Sequence, residues 1–515
     1  MQCRYRTIIT PAAYDWSVLS FCVSVTTFLT FLTFAKWNLM SIVTIVGTSG
    51  TAVHVTVSGG KAQALAEAYA QQMSDAFSRS KLTTVLLTEG STVPATHGDS
   101  LIEGFATTGG GFAPTGSYDF IGVGAWHQNA TGSGPALLDE RVTINGAGLT
   151  TTDMLSILGG STAGLTYEAG SANGSFLGVS GDNFFNGGTN SASWTIVTAG
   201  GNDTILATNG QNTIDAGTGN NLIELQQGTN TVFSEGQDTI TGQEGGRTLL
   251  TLSGGNAWVT LGSNSLVSDE ASTGSHISVG DNSTIQSGSG STIVFSGTSG
   301  TLSGAQNDTV SALGDLTVQQ GTAQTMSVAG SLQFIAGTGN TEISAEQATL
   351  WGANGLSAHI EIGKTAIWTG NQSDSSTSEL IDASSSQGSL SAWTGAGEQT
   401  VIGGSASDHF VFGTAYPGNN DPTYATVTGG SGGANTFGVL AGHTSGDITI
   451  ADFAAVSGNK FFMYNYKPED AAAAVQKLLA TATVQGGNTA LMLDNNMKVT
   501  FMGVTDLKAA NITIS

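Results

Sequence analysis

The sequence predicts an all-β chain: a parallel β-solenoid of the β-roll or β-helix kind, with a small N-terminal α+β cap and a C-terminal helix plus β-hairpin tail. Three observations carry this prediction. Glycine supplies 73 of 515 residues and proline only 7, which gives many tight turns but no collagen repeat. Apolar residues stand at 39%, too many for a disordered acidic chain. Finally, from about Thr198 an aliphatic residue recurs at a fixed distance from glycine with a period near nine residues. A single short coil cannot bury its aliphatic row, whereas stacked coils bury a continuous stripe.

Charge narrows the function classes. Lys+Arg number 14 against 38 Asp+Glu, a net charge of −24. Nucleic acid is excluded as a partner of the chain as a whole, because phosphate neutralisation needs clustered Lys and Arg. The two cysteines, Cys3 and Cys22, both lie in the first 22 residues, so the rest of the chain has no disulfide framework and no cysteine-based metal or redox site.

Four segments follow in order: 1–39, 40–197, 198–440 and 441–515. Residues 17–35 carry no charge and are flanked by Arg4, Arg6 and Lys36, a length that can cross a bilayer. Three readings of 1–39 stand: a misplaced start with translation beginning at Met40, a signal peptide, or an anchor. The segment 40–197 is the cap. Residues 42–57 alternate apolar and small polar residues as a strand pair around Gly47–Gly50. In 61–81, Ala62, Leu65, Ala66, Tyr69, Met73 and Phe77 form a helical apolar stripe, expected to close the end of a β-structure. Residues 82–195 read as β-rich, with glycine-marked turns.

The solenoid is expected over 198–440. Gly201, Gly210, Gly219 and Gly228 are spaced by nine, and Gly236 follows after eight. Two residues beyond each glycine stand Asp203, Asn212, Asn221, Asn230 and Asp238; two further on stand Ile205, Ile214, Ile223, Val232 and Ile240. Gly and Asn tolerate positive φ and so make the turns. The aliphatic residue is the inward side chain of a short strand. Two nonapeptides make one coil of about 18 residues, with coils about 4.8 Å apart. Weaker copies follow at Gly290/Val294, Gly314/Val318, Gly330/Phe334, Gly339/Ile343, Gly363/Ile367 and Gly397/Val401.

At these residues the chain resembles the RTX proteins, secreted bacterial proteins with hemolysin-type nonapeptides that fold as calcium-bound β-rolls. TAGGNDTIL (198–206) keeps the family's glycine at Gly201, its aspartate at Asp203 and its aliphatic at Ile205. SASDHFVFG (405–413) and GDITIADFAAVSGNKFFM (446–463) resemble the step that closes RTX arrays, and 468–515 is similar to their C-terminal tail. The resemblance implies calcium, held around Gly201, Asp203, Gly210, Asn212, Gly219, Asn221, Gly236, Asp238 and Asp408. Three of the five clean repeats carry Asn where the family has Asp. Calcium sites are therefore expected to be few and weak, centred on Asp203, Asp238 and Asp408. The alternative is that Asn side chains ladder along the turns and replace metal by hydrogen bonds. The tail implies an uncleaved signal read by type I secretion machinery.

Catalytic motifs are scarce. No H-E-x-x-H occurs, and GGSGG (429–433) fits the nucleophile pattern around Ser431 only formally, with no strand-to-helix elbow expected. Asp269 and Glu270 are neighbours whose side chains would point to opposite faces of a strand. Trp351, Trp368 and Trp393 lie roughly a coil apart, either as an outer sugar-binding platform or packed inward. The expected function is that of a secreted, non-enzymatic repeat protein at the cell surface or outside the cell: an adhesin, surface-layer or biofilm-matrix component. Its partners would be polysaccharide or copies of itself. The rival is a secreted polysaccharide- or ester-active enzyme with its site in 82–197 or in a solenoid groove.

Overall fold

A computed structural model describes residues 40–46, 52–58, 60–129, 132–136, 138–150, 154–372, 374–414, 421–443 and 445–515. The readings of residues 1–39 and of the Gly47–Gly50 turn lie outside the described residues. The chain divides into two compact units, Met1–Gly228 and Thr229–Ser515. Each is a parallel β-solenoid, the fold the sequence predicts for 198–440.

In the first unit, Met40–Val46 and Ala52–Ser58 form the expected antiparallel pair. Helix α1 follows over Gly60–Ser78. Parallel coils begin at Leu82–Leu86, well before the predicted boundary at 198. Strands form two columns, and from Val142–Asn145 onward each pairs with the next but one in sequence. One column runs through Leu101–Ala106, Phe120–Val123, Leu155–Gly159, Gly174–Gly178, Trp194–Thr198 and Gln211–Asp215. The other runs from Gly110–Phe112 through Val142–Asn145, Leu165–Glu168, Phe184–Asn186 and Thr204–Leu206 to Leu222–Leu225.

Ile157, Phe176 and Ile196 face inward in register, and the interior is filled by Tyr167, Phe176, Phe185 and Trp194, whose ring centroids lie 5.1–6.3 Å apart. Helix α1 does not close the end of this stack. Its stripe of Ala62, Ala66, Tyr69 and Met73 packs on the outer face of the first column, against Phe105, Phe120, Leu158, Leu177 and Val197. Strands buried on both faces read as apolar runs without alternation. The period is hidden in 82–197 for that reason.

The second unit repeats the two-column pattern. Val259, Ile277, Ile293, Val310 and Met326 stack inward in one column, and Leu250, Val267, Ile285, Leu302, Val318 and Phe334 in the other. Ile205, Ile214 and Ile223 in the first unit, and Val232 and Ile240 in the second, are all buried as predicted. Two weaker copies are a residue out of register. Ile293 and Phe295 turn inward in place of Val294, and Ala366 and Trp368 in place of Ile367, which is 51% exposed. A one-residue slip exchanges the faces of a strand, and here the larger ring takes the interior.

The coils also continue beyond 440. Gly446–Ile450 and Lys460–Tyr464 each extend a column. Helix α2, Ala471–Ala480, is started by Asp470, whose carboxylate accepts from the Ala473 N–H at 3.0 Å. The expected hairpin pairs Asn488–Met492 with Met497–Phe501. Met497–Phe501 and Ile512–Ile514 then return in parallel onto the last two coil strands.

Candidate functional site

The residues singled out for calcium occupy the corners of the coils, and hydrogen bonds connect them from coil to coil. In the first unit the Leu165 N–H donates to Asn183 Oδ1 (3.0 Å), the Asn183 N–H to Asp203 Oδ1 (2.6 Å) and the Asp203 N–H to Asn221 Oδ1 (2.8 Å). In the second unit the Leu390 N–H donates to Asp408 Oδ1 (2.7 Å), the Asp408 N–H to Asn435 Oδ1 (2.8 Å) and the Asn435 N–H to Asn459 Oδ1 (2.7 Å). Each rung spends its side-chain oxygen on a buried backbone N–H of the preceding coil, a group that would otherwise be costly to bury.

In five of the six rungs the second polar atom tracks the choice between Asn and Asp; Asp203 Oδ2 is buried without a hydrogen-bond partner among the described residues. Asn183, Asn221, Asn435 and Asn459 turn their Nδ2 to carbonyls of their own turns: Gly181 (3.1 Å), Ala216 (3.1 Å), Gly429 (3.1 Å) and Phe453 (3.0 Å). Asp408 faces an N–H there instead, and its Oδ2 accepts from Gly404 at 3.0 Å. An amide suits a carbonyl and a carboxylate suits an N–H. Asn212 belongs to the other column; its Nδ2 donates to the Thr208 carbonyl at 3.0 Å. Asn230 is buried, and Asp238 is buried with Oδ2 accepting from Ser234 Oγ at 2.6 Å.

The glycines serve close approach. Gly201 and Gly219 have φ of 131° and 132°, and a Cβ on Gly219 would lie 1.8 Å from the Gly201 carbonyl oxygen. Gly210 stands close to the Ala192 carbonyl, with 2.1 Å to a Cβ, while Gly236 lies in a bend two residues before Asp238.

Calcium asks for six to eight oxygens around one ion. Among the described residues, no three His, Cys, Asp or Glu side chains gather as a metal-binding group. Asp203, Asp238 and Asp408 sit in separate coils with their carboxylates buried toward hydrogen-bond donors. Burial pushes the carboxyls of Asp203 and Asp408 up. Asp408 and Asp238 accept from N–H and O–H groups, whereas Asp203 Oδ2 is buried without a hydrogen-bond partner among the described residues.

Other candidates resolve individually. Trp368 is fully buried, Trp393 donates its Nε1–H to the Gly413 carbonyl at 2.9 Å, and Trp351 is 40% exposed, so the three form no common outer platform. Asp269 is buried among Ser272, Ser275 and Ser291 hydroxyls, with Glu270 exposed beside it. Ser431 lies in a turn between two strands, Thr423–Thr428 and Thr436–Leu440, with no helix following it. A groove of about 430 Å³ runs along the second unit, lined by Leu313, Ala329, Ala345, Glu346, Glu361 and Gln387.

The outer faces carry what sequence reasoning missed. Thr239, Trp258, His276, Thr292, Thr309 and Thr325 are in register as one exposed column of the second unit. Trp258 is 57% exposed and stacks on His276 with centroids 4.7 Å apart and planes at 11°. Their separation of 276 − 258 = 18 residues is one coil, a signal the sequence did contain. No family model, curated protein or solved structure matches the chain.

Proposed function

We propose that the chain is an exported structural protein of the cell surface or extracellular matrix: an adhesin, surface-layer or biofilm-matrix component. It holds polysaccharide, or other copies of itself, on the outer faces of its coils. The observation that supports this best is the exposed column from Thr239 to Thr325, which repeats hydroxyl groups coil after coil around the Trp258–His276 stack. A ligand with its own repeat, such as a polysaccharide, can meet such a face many times weakly, and flat aromatic rings suit apolar sugar faces. In this reading the tail from 465 to 515 addresses the chain to type I secretion machinery. Calcium is an accessory, because the corner aspartates already accept hydrogen bonds.

The rival enzyme reading gains no separate domain in 82–197, whose strands are coils of the first unit. Co-sedimentation of the full chain with matrix polysaccharides, wild type against Trp258→Ala, tests the binding face. Retention by wild type and loss in the variant is expected; equal behaviour of both refutes a role for this column. Comparing cell, surface and medium fractions with and without 465–515 tests export. Circular dichroism of the retained truncation is needed alongside, because strands in that segment also close both columns.

A further inference from the structure

Two Ser–His–Asp groupings occur among the described residues, one in each unit, and they differ in order. In the first, Ser117 Oγ and Asp119 Oδ2 approach the same ring nitrogen, His97 Nε2, at 3.2 and 3.3 Å. Asp119 Oδ2 also accepts from the Ile102 N–H at 2.7 Å. Hydroxyl and carboxylate compete there for one nitrogen, so the carboxylate cannot hold the imidazole for proton transfer from the serine.

In the second grouping the contacts fall on opposite nitrogens. Asp382 Oδ2 lies 3.4 Å from His359 Nδ1, and Ser385 Oγ lies 3.4 Å from His359 Nε2. This is the order nucleophilic catalysis requires: nucleophile, base, then the group that orients the base. Both distances are loose, as they often are without substrate. The fold sets the arrangement. His359 and Asp382 are register partners on adjacent parallel strands, and Ser385 sits in the exposed turn that follows. Asp382 is itself held, its Oδ1 accepting from the Ser384 N–H at 2.9 Å.

The same turn leaves a donor for a developing oxyanion. The N–H groups of Ala383, Ser384, Ser386, Gln387 and Gly388 all donate within the protein. Among the described residues, the Ser385 N–H has no acceptor. Two residues on, Gln387 lines the groove together with Leu313, Ala345 and Ile362, and one of its two carboxylates, Glu346, is paired with Lys364 Nζ at 2.6 Å.

We propose that Ser385, His359 and Asp382 form an acyl-transfer centre that hydrolyses carboxylic esters. Ser385 Oγ bonds to the acyl carbon as its proton passes to His359 Nε2. The carbon–oxygen bond to the alcohol breaks, and the alcohol leaves with that proton. Water, giving a proton to the same nitrogen, then adds to the acyl carbon; the acid is released and the proton returns to Ser385 Oγ. Asp382 stays ionised throughout and keeps His359 in the tautomer with Nδ1–H. Because Ser385 is exposed, the ester can be carried on a long polymer. The inference does not depend on the polysaccharide-binding reading.

The test uses the full chain, a fluorophosphonate probe and p-nitrophenyl acetate. Wild type is expected to be labelled at Ser385 and to hydrolyse the ester. Ser385→Ala should abolish the label and lower hydrolysis by about a hundredfold or more, and Asp382→Asn should lower it by at least about tenfold. Ser117→Ala should change neither readout, and unchanged circular dichroism shows that each variant is folded. Absence of label on folded wild type, label on a different serine, or hydrolysis unaffected by Ser385→Ala would each overturn the proposal.

Discussion

Asn435 offers the most direct test of the corner rungs. It is 1% exposed, accepts from the Asp408 N–H at 2.8 Å and donates to the Gly429 carbonyl at 3.1 Å. Asn435→Ala leaves both buried backbone groups unmet. Each orphan costs about 1–3 kcal/mol, so the variant should lose about 2–5 kcal/mol after water partly fills the space. Asn435→Asp separates the two contacts. The carboxylate still accepts from Asp408 but repels the Gly429 oxygen, and burial favours its protonated form. A carboxyl raised in the folded state destabilises above its unfolded value, so this variant should be weakest at neutral pH and recover in acid, where its O–H can donate to Gly429. Repeat proteins lose stability locally, and the assay should therefore be hydrogen exchange of the amides in 405–440, supported by urea unfolding. If Asn435→Ala stays within about 0.5 kcal/mol of wild type, or if Asn435→Asp is insensitive to pH, then the rungs do not bear the stability assigned to them.

Three further outcomes are expected. Ile214→Asp puts a charge in a fully buried row and should cost several kcal/mol in urea unfolding. Burial holds the Glu379 carboxyl at about 7 against an ordinary 4.5, so its contribution to stability falls as pH rises between those values, by about 3 kcal/mol in total. Glu379→Gln should therefore raise the melting temperature at pH 8 and leave it nearly unchanged at pH 4.5. Excess chelator should leave the β-sheet circular dichroism largely intact, with at most a modest rise in melting temperature on adding calcium; collapse to coil would show that the corner hydrogen bonds cannot substitute for metal.

The parts of the fold legible in sequence were those where one strand face is buried and the other wet. From Gly201 to Ile240 the alternation is clean, and every predicted inward residue is buried. In 82–197 helix α1 covers the outer face, so Leu158, Leu177 and Val197 are apolar for a second reason and the period disappears. Around 290 and 363 the glycine count located the coil but misplaced its inward residue, because Phe295 and Trp368 claim the interior. At the corners, residue types were readable but their partners were not. Whether Asn435 or Asp408 stands at a rung follows from a carbonyl or an N–H some residues away in the turn, and composition carries no record of which one points inward. His359, Asp382 and Ser385 span 26 residues and meet only because one coil lies on the next.

The parallel register has a mechanical consequence. In the second unit, Val259 pairs with Ile277 and Ile277 with Ile293, so the hydrogen bonds between strands run along the stacking axis. Tension along that axis loads the coils in series, as with links in a chain, and the weakest peels first. Peeling one coil of 277 − 259 = 18 residues frees about 60 Å of extended chain. Force–extension traces of this unit should climb in sawteeth of about that length, and the chain should wind back when slack, since each neighbouring coil is a template for the next.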